Sequence, residues 1–169
     1  MFHEKTVNAL KWIVEILNKK NIIYQISGGF AAKAYGSRRP LNDIDIDIPE
    51  DRFVDILEEV KPYIIFDPQY ANDGKWDMQI MTLNFKGQEV DISGAFETKV
   101  SNKNRTKWIP IPVNFSKVRK IEIESIKVNV TSPEDLIEYK QHLDGQHQIV
   151  DIKAVKKYLK NEIRNTKIF

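Results

Sequence analysis

The sequence predicts an α/β fold in the broad sense (α+β): a small mixed, mostly antiparallel sheet flanked by helices, with two C-terminal helices packed beside a cleft. Three observations predict it. Residues 43–47 read DIDID, and successive side chains on a strand point to opposite faces, so Ile44 and Ile46 turn one way and Asp43, Asp45 and Asp47 the other. The apolar run IIYQIS at 22–27 meets Gly28-Gly29 and then the helix-like FAAKAY, a strand–turn–helix signature. Two alternating segments flank Lys86-Gly87, as in a hairpin.

The elements follow in order. Residues 3–20 carry Val7, Leu10, Ile13, Val14 and Leu17 at helical spacing, an amphipathic helix that needs a partner surface. A buried strand at 22–27 leads to a short helix at 30–35, ended by Gly36. The DIDID strand comes next, then a helix over 49–61 with Phe53, Val54, Ile56, Leu57 and Val60 inward and Pro62 as its stop. A short strand is expected at 63–66, a turn-rich loop at 67–75, and the hairpin strands at 76–85 and 88–93. Residues 94–120 read as an irregular excursion and 120–130 as one or two strands. Ser132 followed by Pro133, with Asp135 three residues on, is a helix start. That helix runs through His142 and a second spans about 148–160.

A chain of 169 residues is expected to form one domain, with a core over 1–130 and a helical segment at 131–169 packed on it. The absence of cysteine excludes disulfides, zinc–thiolate sites and cysteine nucleophiles. No apolar run approaches the ~20 residues that span a membrane, and Glu4 and Lys5 precede any apolar periodicity, so a cytoplasmic protein without a membrane partner is the expectation. Charge is unevenly spread. Residues 42–98 hold fourteen acids against four bases, whereas 99–120 hold seven bases and no acid. The basic segment, interleaved with Trp108 and Phe115, could meet phosphates or nucleic acid.

The chemistry concentrates in 27–47. Two carboxylates on one strand face sit ~6.6 Å apart at their Cα atoms, from a rise of ~3.3 Å per residue. Asp43 and Asp45 therefore repel unless a cation lies between them. Mg²⁺ takes hard oxygen ligands, often one or two carboxylates plus substrate phosphates. Ser27, Gly28 and Gly29 open a helix where backbone N–H groups can meet phosphate, and the planar guanidinium of Arg39 matches phosphate oxygens. A phosphate cradle followed by a metal-binding carboxylate pair predicts a nucleoside triphosphate (NTP) site. Asp47 is left to hydrogen-bond an arginine or to orient the site, and neither His142 nor His147 is placed as a metal ligand.

These residues resemble the nucleotidyltransferase superfamily with a polymerase-β-type catalytic core. Gly28, Gly29, Asp43 and Asp45 match its Gly-Gly turn and Asp-x-Asp strand, and Asp91 in EVDI matches its third carboxylate. The spacing GGFAxxxxGxxR before DIDID is similar to the small branch with the lincosamide and aminoglycoside nucleotidyltransferases and the nucleotidyltransferase toxins. Leu41 stands where the antibiotic-modifying members tend to carry His. The likeness runs over residues 22–93 and more loosely over 131–160, where Lys140 matches a lysine that reaches the nucleotide. It implies Asp43, Asp45 and Asp91 as catalytic metal ligands for two Mg²⁺ ions, and Ser27, Gly28, Gly29, Arg39 and Lys140 as contacts to the donor NTP. The implied reaction moves a nucleoside monophosphate onto an acceptor hydroxyl of a small molecule and releases pyrophosphate. Transfer to tRNA or protein, or a non-catalytic nucleotide-binding module, are the alternatives.

Overall fold

A computed structural model describes residues 2–166. Its elements run α1 (Glu4–Lys19), β1 (Gln25–Ile26), α2 (Gly28–Ala34), β2 (Asp43–Ile48), α3 (Phe53–Val60), β3 (Ile64–Asn72), β4 (Trp76–Phe85) and β5 (Gln88–Gly94). Then follow β6 (Lys99–Ser101), β7 (Trp108–Pro110), β8 (Arg119–Ile123), β9 (Ile126–Val130), α4 (Pro133–Lys140) and α5 (Gln146–Thr166). The strands form one sheet in the order β7-β6-β4-β5-β2-β1-β9-β8, with β3 on the free side of β4. The β2–β5 and β1–β9 pairs are parallel and the others antiparallel, so the sheet is mixed and mostly antiparallel as predicted.

Strand alternation divides the sheet into a core face and a cleft face. Ile44, Ile46, Ile48, Val90, Ile92, Met81 and Leu83 are fully buried on the core side. Helix α1 covers that side with Leu10, Ile13, Val14 and Leu17. Trp12 stacks on Phe85 at 4.3 Å, and the Thr6 hydroxyl donates to Gln88 Oε1 at 2.7 Å, tying α1 to the β4–β5 hairpin. On the other face the aspartates of β2 are half-buried and line an open cleft.

Several local expectations change. Val54 is 68% exposed, because the inward stripe of α3 is Phe53, Ile56, Leu57 and Val60, and position 54 lies off it. The loop expected at 67–75 is largely strand: β3 continues to Asn72, and its register shifts between Phe66 and Gln69 absorb Pro68, which cannot donate to a ladder. Only the tip at 73–75 turns, where the Asp73 carboxylate accepts the amides of Lys75 and Trp76. The excursion at 94–120 contains the short hairpin β6–β7, which prolongs the line of β5 along β4. Glu124 and Ser125 both have positive φ, 47° and 66°, and close a tight β8–β9 hairpin. Helix α4 begins as expected, with the Ser132 hydroxyl accepting the Asp135 amide at 3.1 Å. Helix α5 is longer than predicted at both ends.

Candidate active site

The parallel pairing of β2 with β5 sets Asp45 directly beside Asp91. Asp43, Asp45 and Asp91 each offer a carboxylate oxygen, and these oxygens lie within 4.8 Å of one another. The three acids predicted from sequence thus converge from two strands. Asp91 is oriented by the Thr82 hydroxyl of β4, which donates to its Oδ1 at 2.6 Å. Asp47 stands apart from the trio and accepts from Gln25 Nε2 at 2.8 Å, so its partner is an amide of β1 and not an arginine.

The glycine turn presses against this trio. The Ser27 amide donates to the Asp45 carbonyl at 2.9 Å, and Gly28 follows with φ +58°. A Cβ on Gly28 would fall 1.6 Å from Asp45 Oδ2, so only glycine allows the backbone this close to the carboxylate. A Cβ on Gly29 would meet Arg39 Nη2 at 2.2 Å. Arg39 is therefore folded back over the turn. The Gly28 amide donates to the Tyr139 hydroxyl of α4 at 2.7 Å.

Two residues important to this arrangement were missed in the sequence. Asp151 of α5 is fully buried, and its carboxylate accepts from Ser37 Oγ at 2.7 Å, Arg39 Nε at 2.9 Å and Lys140 Nζ at 3.0 Å. Lys140 lines the cleft, but its ammonium is buried and committed to Asp151 and to Gln148 Oε1 at 2.8 Å. The sequence signal for Asp151 was faint: it sits one turn before Val155, but the third member of that buried stripe is Gln148, so the stripe does not read as apolar. Tyr139 carried no comparable signal, since its role rests on an amide far away in the chain.

Crowding sets the electrostatics. Burial, then the charges of Asp43, Asp91 and Asp47, push the Asp45 carboxyl up to about 7. Burial raises Asp47 to about 6 against its hydrogen bonds from Gln25 and Ser27. Asp91 is also raised by burial, partly offset by Thr82, whereas burial lowers Lys140 against the pull of Asp151. A hard divalent cation would relieve the repulsion, and an all-carboxylate donor set suits Mg²⁺. The trio, the glycine turn, Arg39 and Lys140 share one cleft of about 910 Å³. Its far wall comes from α4, from Trp76, Met78 and Ile80 of β4, and from residues 109–114. The exposed Lys103, Arg105 and Lys107 lie outside this lining, while Lys99, Lys117 and Arg119 are held in ion pairs with Asp77, Asp135 and Glu162.

No protein-family model and no curated protein matches the chain. Solved structures do match. A proposed nucleotidyltransferase from Thermotoga maritima superposes with a TM-score of 0.72 at 18% identity, over 95% of this chain and 96% of that one. The lincosamide adenylyltransferase LnuA, solved with lincomycin, gives 0.60 at 14% identity, over 88% and 95% of the two chains. ANT(2")-Ia, solved with adenylyl-2"-tobramycin, gives 0.62 at 16% identity, over 95% and 93%. The fold is thus the nucleotidyltransferase fold that the glycine turn and aspartate strand suggested.

Proposed function

We propose that the protein is a Mg²⁺-dependent nucleotidyltransferase that moves a nucleoside monophosphate from an NTP to the hydroxyl of a small-molecule acceptor, releasing pyrophosphate. The observation that carries this reading is the convergence of Asp43, Asp45 and Asp91 to within 4.8 Å beside a turn that only glycine can form. The small molecules bound in the solved neighbours, lincomycin and adenylyl-2"-tobramycin, support a small-molecule acceptor.

In this reading Asp43, Asp45 and Asp91 hold Mg²⁺, which when bound neutralises charge on the phosphates and on the attacking and leaving oxygens. The chain's own groups do the positioning. Gly28 and Gly29 bring backbone amides, and Ser27 its hydroxyl, toward the β and γ phosphates, and Arg39, steadied by Asp151, lays its guanidinium beside them. Lys140 adds positive charge at the cleft wall. Asp91, oriented by Thr82, is set to take the proton of the acceptor hydroxyl. Catalysis of this kind rests mainly on positioning and charge neutralisation. An RNA acceptor is the second reading, supported by the exposed Lys103, Arg105 and Lys107. A cytoplasmic location, where NTP and Mg²⁺ are at hand, suits either acceptor, and among the described residues no helix is long and apolar enough to cross a membrane.

Thermal melts with each NTP, with and without Mg²⁺, test the donor site. Ligand at ~100 times its dissociation constant adds ~2.7 kcal/mol, a shift of several degrees for a domain of this size. The expected result is a Mg²⁺-dependent shift with at least one NTP that Asp43→Asn and Asp45→Asn abolish. No shift with any NTP would refute the reading.

A further inference from the structure

The cleft face of the sheet carries a feature that donor chemistry leaves unused. Along β4, Trp76, Met78, Ile80 and Thr82 point to one side, and their partners on β3 include Ala71, opposite Met78, and Phe66, opposite Thr82. None of the six is buried, whereas Met81 and Leu83 on the other side of β4 are fully buried. Trp76, Met78 and Ile80 line the main cleft and also an adjoining hollow of about 250 Å³ that Phe66, Ala71, Asp73 and Thr82 complete. This apolar stripe ends at the reaction centre, because Thr82 is the residue that hydrogen-bonds Asp91.

The position of the stripe gives it a role. Across the sheet, β4, β5, β2 and β1 succeed one another, so the stripe, Asp91, the Asp43–Asp45 pair and the glycine turn after β1 lie in that sequence. In-line displacement at phosphorus sets the attacking oxygen opposite the leaving group. With pyrophosphate leaving on the glycine and Arg39 side, the attacking hydroxyl arrives from the β4 side, over the stripe. The acids bordering the stripe are already engaged: Asp73 accepts the amides of its own turn, and Asp77 pairs with Lys99 and Asn72. A polycation gains little there, and an apolar ring fits the wall.

Resting on the nucleotidyltransferase reading, we propose that the acceptor is a small uncharged alcohol with a flat apolar body, aromatic or alicyclic, which lies on Trp76, Met78 and Ile80 with its hydroxyl at Asp91. Its oxygen forms a bond to the α-phosphorus of the NTP, and the bond from that phosphorus to the oxygen bridging to the β-phosphate breaks. Pyrophosphate leaves with that electron pair, and the hydroxyl proton passes to the Asp91 carboxylate.

The test measures Mg²⁺- and NTP-dependent pyrophosphate release by the full chain with four acceptors: 2-naphthaleneethanol, sorbitol, tobramycin and a short oligoribonucleotide. The naphthyl alcohol is expected to stimulate release about tenfold more than any of the others. A charge in the apolar wall should raise its KM about tenfold in Ile80→Glu, with Met78→Glu as a second variant should the first not fold. The melting shift with NTP and Mg²⁺ gauges the donor site separately. If that shift is present but release follows tobramycin, the oligoribonucleotide or sorbitol, or none of the four, the acceptor assignment is overturned and the donor reading stands. An unchanged KM for the naphthyl alcohol in both variants overturns it as well. If the wild type shows no shift, the nucleotidyltransferase reading fails and takes the acceptor with it.

Discussion

Asp45 lies among three other carboxylates with a glycine backbone pressed against it, and its pKa of about 7 reflects that confinement. Asp47 is raised in the same direction, to about 6. A carboxyl whose folded pKa lies above its unfolded value binds more protons in the folded state between the two values. Its cost is therefore absent below about pH 4, grows as pH rises from there to the folded pKa of about 6 or 7, and is level above it. In EDTA the protein is expected to melt at a lower temperature at pH 8 than at pH 5, and Mg²⁺ should restore the loss at pH 8. Asp45→Asn should flatten the pH dependence, leave the metal-free protein at least as stable at pH 8, and abolish transfer. Thermal melts across pH check this, and a metal-free Asp45→Asn that melts well below wild type at pH 8 would make Asp45 a structural partner instead.

Among the elements, α5 has the largest hidden role. Its Asp151 joins the loop after α2, through Ser37 and Arg39, to the end of α4, through Lys140. Removing the carboxylate leaves two cations partly or fully buried without their counter-charge, and such losses cost about 3–5 kcal/mol. Asp151→Ala should lose stability of that order in urea unfolding. Asp151→Leu combined with Lys140→Met should recover part of it, because a matched apolar pair removes the desolvation penalty along with the charge. This clasp also marks where sequence reading stops. The aspartate strand, the glycine turn and the Ser132-Pro133 helix start were legible because each depends on alternation or capping within a few residues. Strand β3 was misread because Pro68 and the Asp-Gly tip imitate a loop, and only pairing with β4 fixes where the ladder breaks. The partners of Asp151 lie over a hundred residues away for Ser37 and Arg39, beyond any local pattern.

At the scale of the molecule, the charge asymmetry of the sequence becomes a division of labour. Several acids of 42–98 gather in the cleft, while six of the seven basic residues of 99–120 divide between ion pairs and the exposed β6–β7 turn. The C-terminal helices are part of the same body, since Leu136 and Val155 are fully buried in the core that holds the sheet. One contact closes this body on itself: Tyr139 and Gly28 are 111 residues apart, and their hydrogen bond sits at the proposed phosphate seat. The phenol holds the Gly28 amide that the proposed reaction gives to a phosphate oxygen, so in that reading an arriving nucleotide must displace it. Capture of nucleotide then becomes gated: in stopped-flow mixing its observed rate should rise with NTP concentration and level off at the rate of phenol release. In Tyr139→Phe the plateau should vanish and the rate should climb linearly. A linear rise in wild type would mean that the phenol yields without a barrier.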